Sequence, residues 1–382
     1  MGRGPTQQTI KTESTNQQAQ NVKSVDSEKC VFSENGVREG ASVLVLGTVF
    51  RDITLTGLER LPVEGEEIYA NAIGYSWGGI ATMARVSARL HRRTWLCAPI
   101  GDDEVSAKLL ADMQAENVDC SLCEPAKGWA IPTTVAMSVA QDRAMVTVEK
   151  PPVHSIGFAP TTAEAAGEQA IDHAIIDMQT QVPAWLACQQ ESGSAQVERG
   201  PARQRESGAA RQERGVAQRG PRVYGSCGYD SSQRWDPQDL PALPNTDVWM
   251  LNELEAQKYG AVADPEEAAQ KLTRYVPVIV VTLGAEGMLA VDSRTGETAR
   301  VPAFPVMVAN FTGAGDSTLA AFSYFDQFHV PLQQKLLGCA YLVSEILKHP
   351  QGAANPPDIN ELRKAANNHP DLHVKEVIAK LL

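Results

Sequence analysis

Unbroken apolar runs alternate along the chain with segments in which apolar residues recur at helical spacing. Val43 to Leu46 is a continuous apolar run, Val278 to Leu283 is interrupted only by Thr282, and each is followed by a glycine. Such runs are typical of strands that are covered on both faces of a parallel sheet. Helical spacing predicts helices over 80–92, 104–116, 332–348 and 358–367. The alternation predicts an α/β fold with a doubly wound, mostly parallel sheet flanked by helices.

Two segments follow a different pattern, in which polar and apolar residues alternate. They cover about 53–77 and 131–150. Alternation with a period of two is typical of strands with one exposed face. We therefore expect a few antiparallel strands that do not belong to the main sheet.

Two further segments lack the apolar residues that a core needs. Residues 1–38 are rich in Gln, Thr, Ser and Asn, and residues 188–222 hold seven Arg and four Glu. Both are predicted to be disordered, the first as a leader and the second as an Arg/Gly/Gln-rich insertion. An RNA-binding arm is the alternative for the insertion, but its net charge is only 7 − 4 = +3 and it has no aromatic residue to stack on bases.

Charge and cysteine content narrow the possible functions. Of 382 residues, 34 are Lys or Arg and 46 are Asp or Glu, so the net charge of −12 argues against nucleic-acid or anionic-membrane binding. No apolar run approaches the roughly 20 residues that span a bilayer, and 1–25 lacks a secretory signal. The chain has seven Cys, of which Cys120 and Cys123 are a close pair. A metal knuckle or a redox motif is possible there, but loop thiols in a reducing cytoplasm are the favoured interpretation.

The segment Asn310 to Ser317 carries the clearest chemical signal. A Gly-Ala-Gly run, 313–315, follows a predicted strand over 306–309 and precedes a predicted helix over 317–328. A glycine turn into a helix presents backbone N–H groups to an anion. Asp316, directly after the run, would repel a resting phosphate, but it could take the proton of an attacking hydroxyl. A tight turn with an acidic helix start is the structural alternative. The chain has no P-loop, and the glycine run lacks the third Gly of the dinucleotide-binding fingerprint.

This segment resembles the C-terminal signature of the ribokinase-like (PfkB) carbohydrate kinase family, whose usual form is Asp-Thr-Thr-Gly-Ala-Gly-Asp. Other motifs of that family are similar to Trp77-Gly78-Gly79, to the Asn-x-x-Glu of 252–255, and to the strand and turn of 280–287. Asp52 matches the carboxylate that binds a sugar hydroxyl in the family. All of these motifs occur in the family order.

The resemblance implies one kinase domain over 39–375, in which the segments at 53–77 and 131–150 form a small β lid that often dimerises. It implies transfer of the γ-phosphoryl group of ATP to a hydroxyl of a sugar or sugar-like acceptor in the cytoplasm. The cofactors would be ATP and Mg²⁺, with a monovalent cation as a further candidate. No nucleic acid or membrane partner is expected, and a homodimer through the lid is a candidate assembly.

The resemblance also assigns roles to residues. Asp316 would be the general base, and the amides of Gly313, Ala314 and Gly315 would stabilise the transferring phosphoryl group. The residues expected at ATP are Asn252, Glu255, Thr282, Gly284, Gly287 and Thr312, with Glu255 holding Mg²⁺ through water. The residues expected at the acceptor are Asp52, Gly78, Gly79 and Met83.

The chain departs from the family pattern at three positions. Met83 stands where the family has an Asn that binds a sugar hydroxyl, Asn310 replaces the first Asp of the C-terminal signature, and Phe311 is bulky where Thr or Val is common. These changes affect the choice of acceptor and any monovalent-cation site. They leave two alternatives to a sugar kinase: a degenerate member that binds sugar or nucleotide without turnover, and a nucleoside kinase.

Overall fold

The computed structural model describes residues 41–139, 142–150, 171–186 and 220–382. The elements of its first half are β1 (Ser42–Leu46), β2 (Val49–Leu58), β3 (Ala72–Gly79), α1 (Ile80–Arg89), β4 (Arg93–Cys97), β5 (Pro99–Ile100), α2 (Glu104–Ala115), β6 (Val118–Asp119), β7 (Glu124–Pro125), β8 (Thr133–Val139), β9 (Asp142–Val148) and β10 (His173–Asp177). Those of its second half are β11 (Arg222–Ser226), β12 (Val248–Asn252), α3 (Glu253–Gly260), α4 (Pro265–Leu272), β13 (Val278–Thr282), β14 (Met288–Asp292), β15 (Glu297–Val301), α5 (Ala314–Phe325), α6 (Leu332–Lys348), α7 (Ile359–Asn367) and α8 (Leu372–Leu381).

The main sheet has nine strands in the order β15-β14-β13-β12-β11-β10-β1-β4-β6. Its pairs are parallel except for β13–β14 and β14–β15, which are antiparallel. All five residues of β1 are buried, because helices and loops cover both faces of the sheet. The predicted doubly wound, mostly parallel sheet is therefore confirmed.

The second sheet has four strands in the order β3-β2-β8-β9, and we call it the lid. The prediction of a purely antiparallel lid is wrong in one respect: β2 and β8 run parallel, with Arg51 opposite Thr133. The pairs β2–β3 and β8–β9 are antiparallel, as the alternating pattern suggested. A parallel pair is possible here because β2 and β8 are far apart in the chain, with β3 to β7 and two helices between them, whereas a hairpin joins β8 to β9.

The predicted helices are present, with ends set by local capping. Asp358 accepts hydrogen bonds from the backbone N–H groups of Asn360 and Glu361, and Glu361 bonds back to the N–H of Asp358. This capping box starts α7 at the predicted place. Asp264 likewise caps α4, which has Pro265 at its first position.

Two predictions around the glycine run need correction. The strand predicted over 306–309 is absent: residues 302–310 have no strand, and prolines at 302 and 305 remove two of the donors that a ladder needs. Met307 in this segment is 91% exposed, so no neighbouring layer covers it. Helix α5 starts at Ala314, three residues earlier than predicted, which places the last residues of the glycine run inside its first turn.

Several expectations lie wholly or partly outside the described residues. The predicted leader 1–38 is outside them, as is 188–219 of the predicted insertion. The insertion ends earlier than predicted, because Arg222 is the first residue of β11. Within the described ranges, none of the helices has the length and apolar composition needed to cross a bilayer.

Candidate active site

The glycine run forms the N-terminus of α5. Gly313 occupies the N-cap position with φ of 77°, a left-handed conformation that favours glycine, and Asp316 lies in the first turn, partly exposed. The first N–H groups of a helix have no partner within it and point along the axis, where the helix dipole favours an anion. A side chain at Gly315 would extend into open space, since a Cβ there would meet no atom within 4 Å. We call 313–316 the cradle.

Position 313 requires glycine because of its close neighbours as well as because of its φ. A Cβ at this position would lie 2.7 Å from the Cβ of Ala353 and 3.3 Å from Cγ2 of Thr82. The glycine thus joins three parts of the chain: the start of α5, the first turn of α1, and the turn at 352–354. This close approach places the N-terminal ends of two helices side by side.

A cavity of about 340 Å³ opens between the cradle and the lid. Among the described residues, those that line it carry no formal charge, and most of their polar groups are hydroxyls and amides. They are Thr54, Thr56, Ala72, Ile73, Gly74, Tyr75, Ser76, Thr82, Asn310, Thr312, Gly313, Pro350, Gln351, Ala353 and Ala354. The cavity therefore joins an anion-binding helix start to a surface that can bind hydroxyl groups. Asp316 follows the cradle glycines directly but does not itself line the cavity.

Asp52 and Gly78 lie together on the lid. A Cβ at Gly78 would stand 2.1 Å from Oδ2 of Asp52, so only a glycine leaves room for this carboxylate. Along β2, Asp52 is on the same face as Thr54, which is 7% exposed and lines the cavity. Two of the residues expected at the acceptor are thus close neighbours on the face of the lid that looks towards the cavity.

The other two residues expected at the acceptor take different positions. Gly79 is the N-cap of α1, where its φ of 59° and the carbonyl of Thr48, 2.7 Å from a hypothetical Cβ, require glycine. Met83 is 3% exposed, lies in the hydrophobic core and does not line the cavity. The neighbouring Thr82 lines the cavity instead, with its hydroxyl donating to the carbonyl of Trp77 at 2.9 Å. No pattern in the sequence pointed to Thr82, because a threonine in a helix is ordinarily a packing residue.

Five of the six residues expected at ATP and Mg²⁺ lie at or just after the carboxyl ends of β12 and β13, whereas Thr312 lines the cavity. Asn252 and Thr282 end these two strands and are direct neighbours in the sheet. Asn252 and Glu255 form a capping box: the Asn252 Oδ1 accepts from the Glu255 N–H, and the Glu255 carboxylate accepts from the Asn252 N–H, both at 2.9 Å. Burial raises the pKa of the Glu255 carboxyl, while the hydrogen bonds from Asn252 lower it. Neither member of this pair lines the cavity below the lid.

Gly284 and Gly287 bound the turn that follows β13. Gly287 has φ of 94°, and a Cβ there would lie 2.0 Å from the carbonyl of Val301, so packing alone requires glycine. Gly284 has φ of 57°, but a Cβ there would meet nothing within 4 Å. Only Gly284 therefore borders open space, and Gly287 holds β15 close to the turn.

The residues present fit a Mg²⁺ ion that keeps several of its waters. The described part of the chain has no group of three or more His, Cys, Asp or Glu that could hold a metal, so it offers no all-protein cage. Glu255 supplies one buried carboxylate at a strand end beside Asn252. Mg²⁺ commonly binds to one or two carboxylates, waters and substrate phosphates in this way.

The loop at Asn310 does not fit a monovalent cation. The side-chain Oδ1 of Asn310 accepts from the Thr312 N–H at 2.8 Å, and its Nδ2 donates to the carbonyl of Pro350 at 3.4 Å. The amide of Asn310 thus presents a hydrogen to the Pro350 carbonyl, whereas a cation binds acceptors only. Asn310 thus links its own loop to the loop at Pro350 through its side-chain amide.

Asp177 is a candidate site residue that the sequence analysis missed. It ends β10 at the same edge of the sheet as β12 and β13. A Cβ added at Gly47, the residue after β1, would lie only 2.6 Å from the Cβ of Asp177. Burial raises the pKa of Asp177 to about 6, opposed by a hydrogen bond from the Gln179 N–H. The apolar run 174–176 before it was a usable signal, because ligands bind at the carboxyl ends of parallel strands.

Comparison with known proteins agrees with this architecture. A model of the pfkB family of carbohydrate kinases matches residues 41–159 and 227–325, which is more than half of the chain. The ribokinase of Arabidopsis thaliana, complexed with ribose and ATP, is 19% identical over 85% of this chain and 98% of its own, with a TM-score of 0.61. The ribokinase of Cryptococcus neoformans, in complex with ADP, is 19% identical over 85% of this chain and 99% of its own, with a TM-score of 0.62.

A nucleoside kinase of Methanocaldococcus jannaschii is similar to the same degree: it is 15% identical over 86% of this chain and 99% of its own, with a TM-score of 0.61. Identities this low show a shared fold and no more. The protein has the fold of a carbohydrate kinase. The family match makes the assignment more specific, since it shows that the chain belongs to the pfkB family of carbohydrate kinases.

Proposed function

We propose that the protein transfers the γ-phosphoryl group of ATP to a hydroxyl of a neutral sugar or sugar-like molecule. One observation carries the proposal: the cradle at the start of α5 opens into a cavity lined by hydroxyl and amide side chains of the lid and of the loops beside it. A helix start binds the phosphate, and the hydroxyl-lined wall binds a polyol.

The proposed mechanism is in-line displacement, with positioning and electrostatic stabilisation as its main sources of rate. Asp316 takes the proton of the attacking hydroxyl, and the amides of Gly313 to Gly315 stabilise charge on the transferring group. Asn252, Glu255, Thr282 and Gly284 would line the path of the nucleotide, and Glu255 would hold Mg²⁺ through water. The bound Mg²⁺ would neutralise charge on the phosphates.

The lining of the cavity supports a neutral acceptor over an acidic or phosphorylated one. A bound carboxylate or phosphate is ordinarily matched by Arg or Lys, and the described lining residues have neither. A hydroxyl such as that of Thr54 can both donate and accept, and that of Thr82, which donates to Trp77, can accept, which suits a polyol. The same lining would accept the ribose of a nucleoside, so the acceptor assay below includes nucleosides.

The proposal is tested by an acceptor panel on the full chain with ATP and Mg²⁺. Neutral sugars, polyols, nucleosides, keto-deoxy acids and sugar phosphates are compared by ADP release, and phosphorus NMR identifies the phosphorylated product. We expect one or more neutral compounds to stimulate ADP release and to carry the new phosphate. Stimulation by acids alone would contradict the neutral acceptor, and no stimulation by any compound, while ATP still binds, would contradict the kinase assignment.

Replacing Gly78 by alanine should impair acceptor binding. The added methyl would overlap the Asp52 carboxylate, 2.1 Å away, and would push it out of position. We expect the KM for the acceptor to rise about tenfold or more, the effect of losing a hydrogen bond to a charged group. The KM for ATP should change little. Steady-state kinetics with each substrate varied in turn gives both constants.

Gly74→Ala is the matched control for this prediction. Gly74 lies on the same strand and the same face of the lid, but a Cβ there would come no closer than 3.8 Å to Thr54 and would displace no carboxylate. Gly74→Ala should therefore raise the KM for the acceptor less than Gly78→Ala does. Equal effects of the two substitutions would show that the Asp52 carboxylate is not the group that matters.

We also propose that two copies of the chain associate through the outer face of the lid. Alternation along the strands directs Ile73, Tyr75, Val146 and Val148 to this face, and all four are exposed, with Tyr75 at 62% and Val148 at 69%. Opposite them in register lie further apolar residues, such as Ile53 beside both Tyr75 and Val135. Apolar faces of this kind commonly mark protein interfaces.

Sedimentation velocity tests the lid interface. We expect a dimer for the unchanged chain and a monomer for Val146→Glu, because the new charge would be buried in an apolar interface. Val146 is 61% exposed and, unlike Tyr75, does not line the cavity. Tyr229→Glu is the control, since Tyr229 is exposed to the same extent outside the lid. A monomeric unchanged chain, or dissociation by both substitutions alike, would contradict the proposal.

A further inference from the structure

Cys120 and Cys123 lie together in one tight turn, away from the cavity and the cradle. The turn joins β6 to β7, and the Cys123 N–H donates to the Cys120 carbonyl at 3.0 Å. Such a turn brings its first and last Cα atoms within about 7 Å of each other. A disulfide needs a Cα separation of about 4.4–6.8 Å, so the backbone is compatible with a bond between these two residues.

The turn is held in this shape by its surroundings. The carboxylate of Asp119 accepts a hydrogen bond from the Ser121 N–H at 2.8 Å, and Leu122 is buried in the core below the sheet. The Cys123 thiol donates to the carbonyl of Leu96 at 3.4 Å. Two thiols at the ends of a rigid turn meet without the cost of ordering a loop, which favours bond formation between them.

The two thiols differ in pKa, although in the structure each donates to a backbone carbonyl, Cys120 to that of Val118 and Cys123 to that of Leu96. The interaction with its neighbour lowers the pKa of the Cys120 thiol and raises that of Cys123, and burial raises the latter further. Both residues are partly exposed, whereas the other free cysteines of the described ranges, Cys97, Cys227 and Cys339, are buried. A partly exposed thiol with a lowered pKa, beside a second thiol, is the usual arrangement for thiol exchange.

A metal site is the competing use of such a pair, and the structure does not support it. A structural zinc ion takes four ligands. No cluster of three or more His, Cys, Asp or Glu able to hold a metal occurs in the described ranges, around this turn or elsewhere. The pair therefore lacks the further ligands that a metal would require.

We propose that Cys120 and Cys123 form a reversible disulfide by exchange with a small-molecule disulfide such as oxidised glutathione. The Cys120 thiolate attacks one sulfur of the small disulfide, forms a mixed disulfide and releases one thiolate. The Cys123 thiol then loses its proton and attacks Cys120, which releases the second small thiol. Overall, two protein thiols are oxidised to one disulfide, and one small disulfide is reduced to two thiols.

The test uses the full chain with Cys30→Ser and Cys188→Ser, so that thiols outside the described residues do not react. The protein is equilibrated with mixtures of oxidised and reduced glutathione, its remaining thiols are alkylated, and intact and peptide masses are measured. We expect the loss of two alkylated thiols, mapped to Cys120 and Cys123, and a mass lower by two hydrogen atoms. Excess reduced glutathione should restore both thiols.

Single substitutions then identify the attacking thiol. Cys123→Ser should accumulate a glutathione adduct at Cys120, because the resolving thiol is missing, whereas Cys120→Ser should form much less adduct at position 123. The glutathione experiment above keeps both Cys120 and Cys123. Its result therefore stands even if one of the two single variants fails to fold. Two thiols that remain alkylatable at every glutathione ratio, or a lasting adduct in place of the disulfide, would overturn the proposal.

Discussion

Asp316→Asn should lower kcat by about 10² to 10⁴-fold, which is the usual contribution of a general base. The amide has nearly the shape of the carboxylate but cannot accept the proton of the attacking hydroxyl. Asp316 is partly exposed in the first turn of α5, directly after the cradle glycines. ATP affinity should change little or improve slightly, because the substitution removes a negative charge beside the phosphates. Steady-state kinetics with the best acceptor and nucleotide titration measure the two effects.

Glu104→Gln is the matched control for the loss of an acid at a helix start. Glu104 is an exposed residue in the first turn of α2, where its carboxylate interacts with the helix dipole as that of Asp316 does with α5. Both substitutions should cost about 0.3 to 1 kcal/mol of stability by this effect. Only Asp316→Asn should affect turnover. Near-normal kcat for Asp316→Asn would show that another group takes the proton.

Most of the main sheet could be predicted from the sequence because its strands are buried on both faces. A run such as Val278 to Val281 has no polar position that could be assigned to solvent, and all four residues are buried in the structure. The lid was predicted from its alternating residues, but the parallel pairing of β2 with β8 could not be. Alternation fixes which side chains share a face, and it contains no information on which distant strand is the neighbour.

The candidate site was predictable as a set of motifs and less so as a set of contacts. The cradle glycines and Asp316 stand out because glycine next to a helix start has few other uses. By contrast, the Asn252–Glu255 spacing also describes a capping box, and the structure shows those two hydrogen bonds. Thr82 enters the cavity and Met83 the core because one step along a helix rotates the side chain by about 100°. The predicted helix over 80–92 starts at the right residue, but the family motif assigned position 83 to the acceptor.

The cradle glycines should respond differently to alanine, although both belong to the same motif. Gly313→Ala should destabilise the protein by about 2–4 kcal/mol, because it combines a left-handed φ with a clash in a packed region. Its Cβ would stand 2.7 Å from that of Ala353. Adding Ala353→Gly should remove the clash and restore the stability that the clash costs. The cost of the left-handed φ at position 313 should remain. Urea unfolding of the single and double variants separates these two contributions.

Gly315→Ala should leave stability within about 1 kcal/mol, because alanine is well tolerated in a helix and its Cβ would extend into open space. That open space is where the cradle would hold the transferring phosphate. A methyl there displaces the phosphate from the amides, and a displacement of about 1 Å can cost about 10²-fold in kcat/KM. A stable protein with poor turnover is therefore expected, the reverse of what a structural glycine would give. If Gly315→Ala retains normal kcat/KM with the best acceptor, the phosphate does not bind beside this residue, and the cradle is only a tight entry into α5.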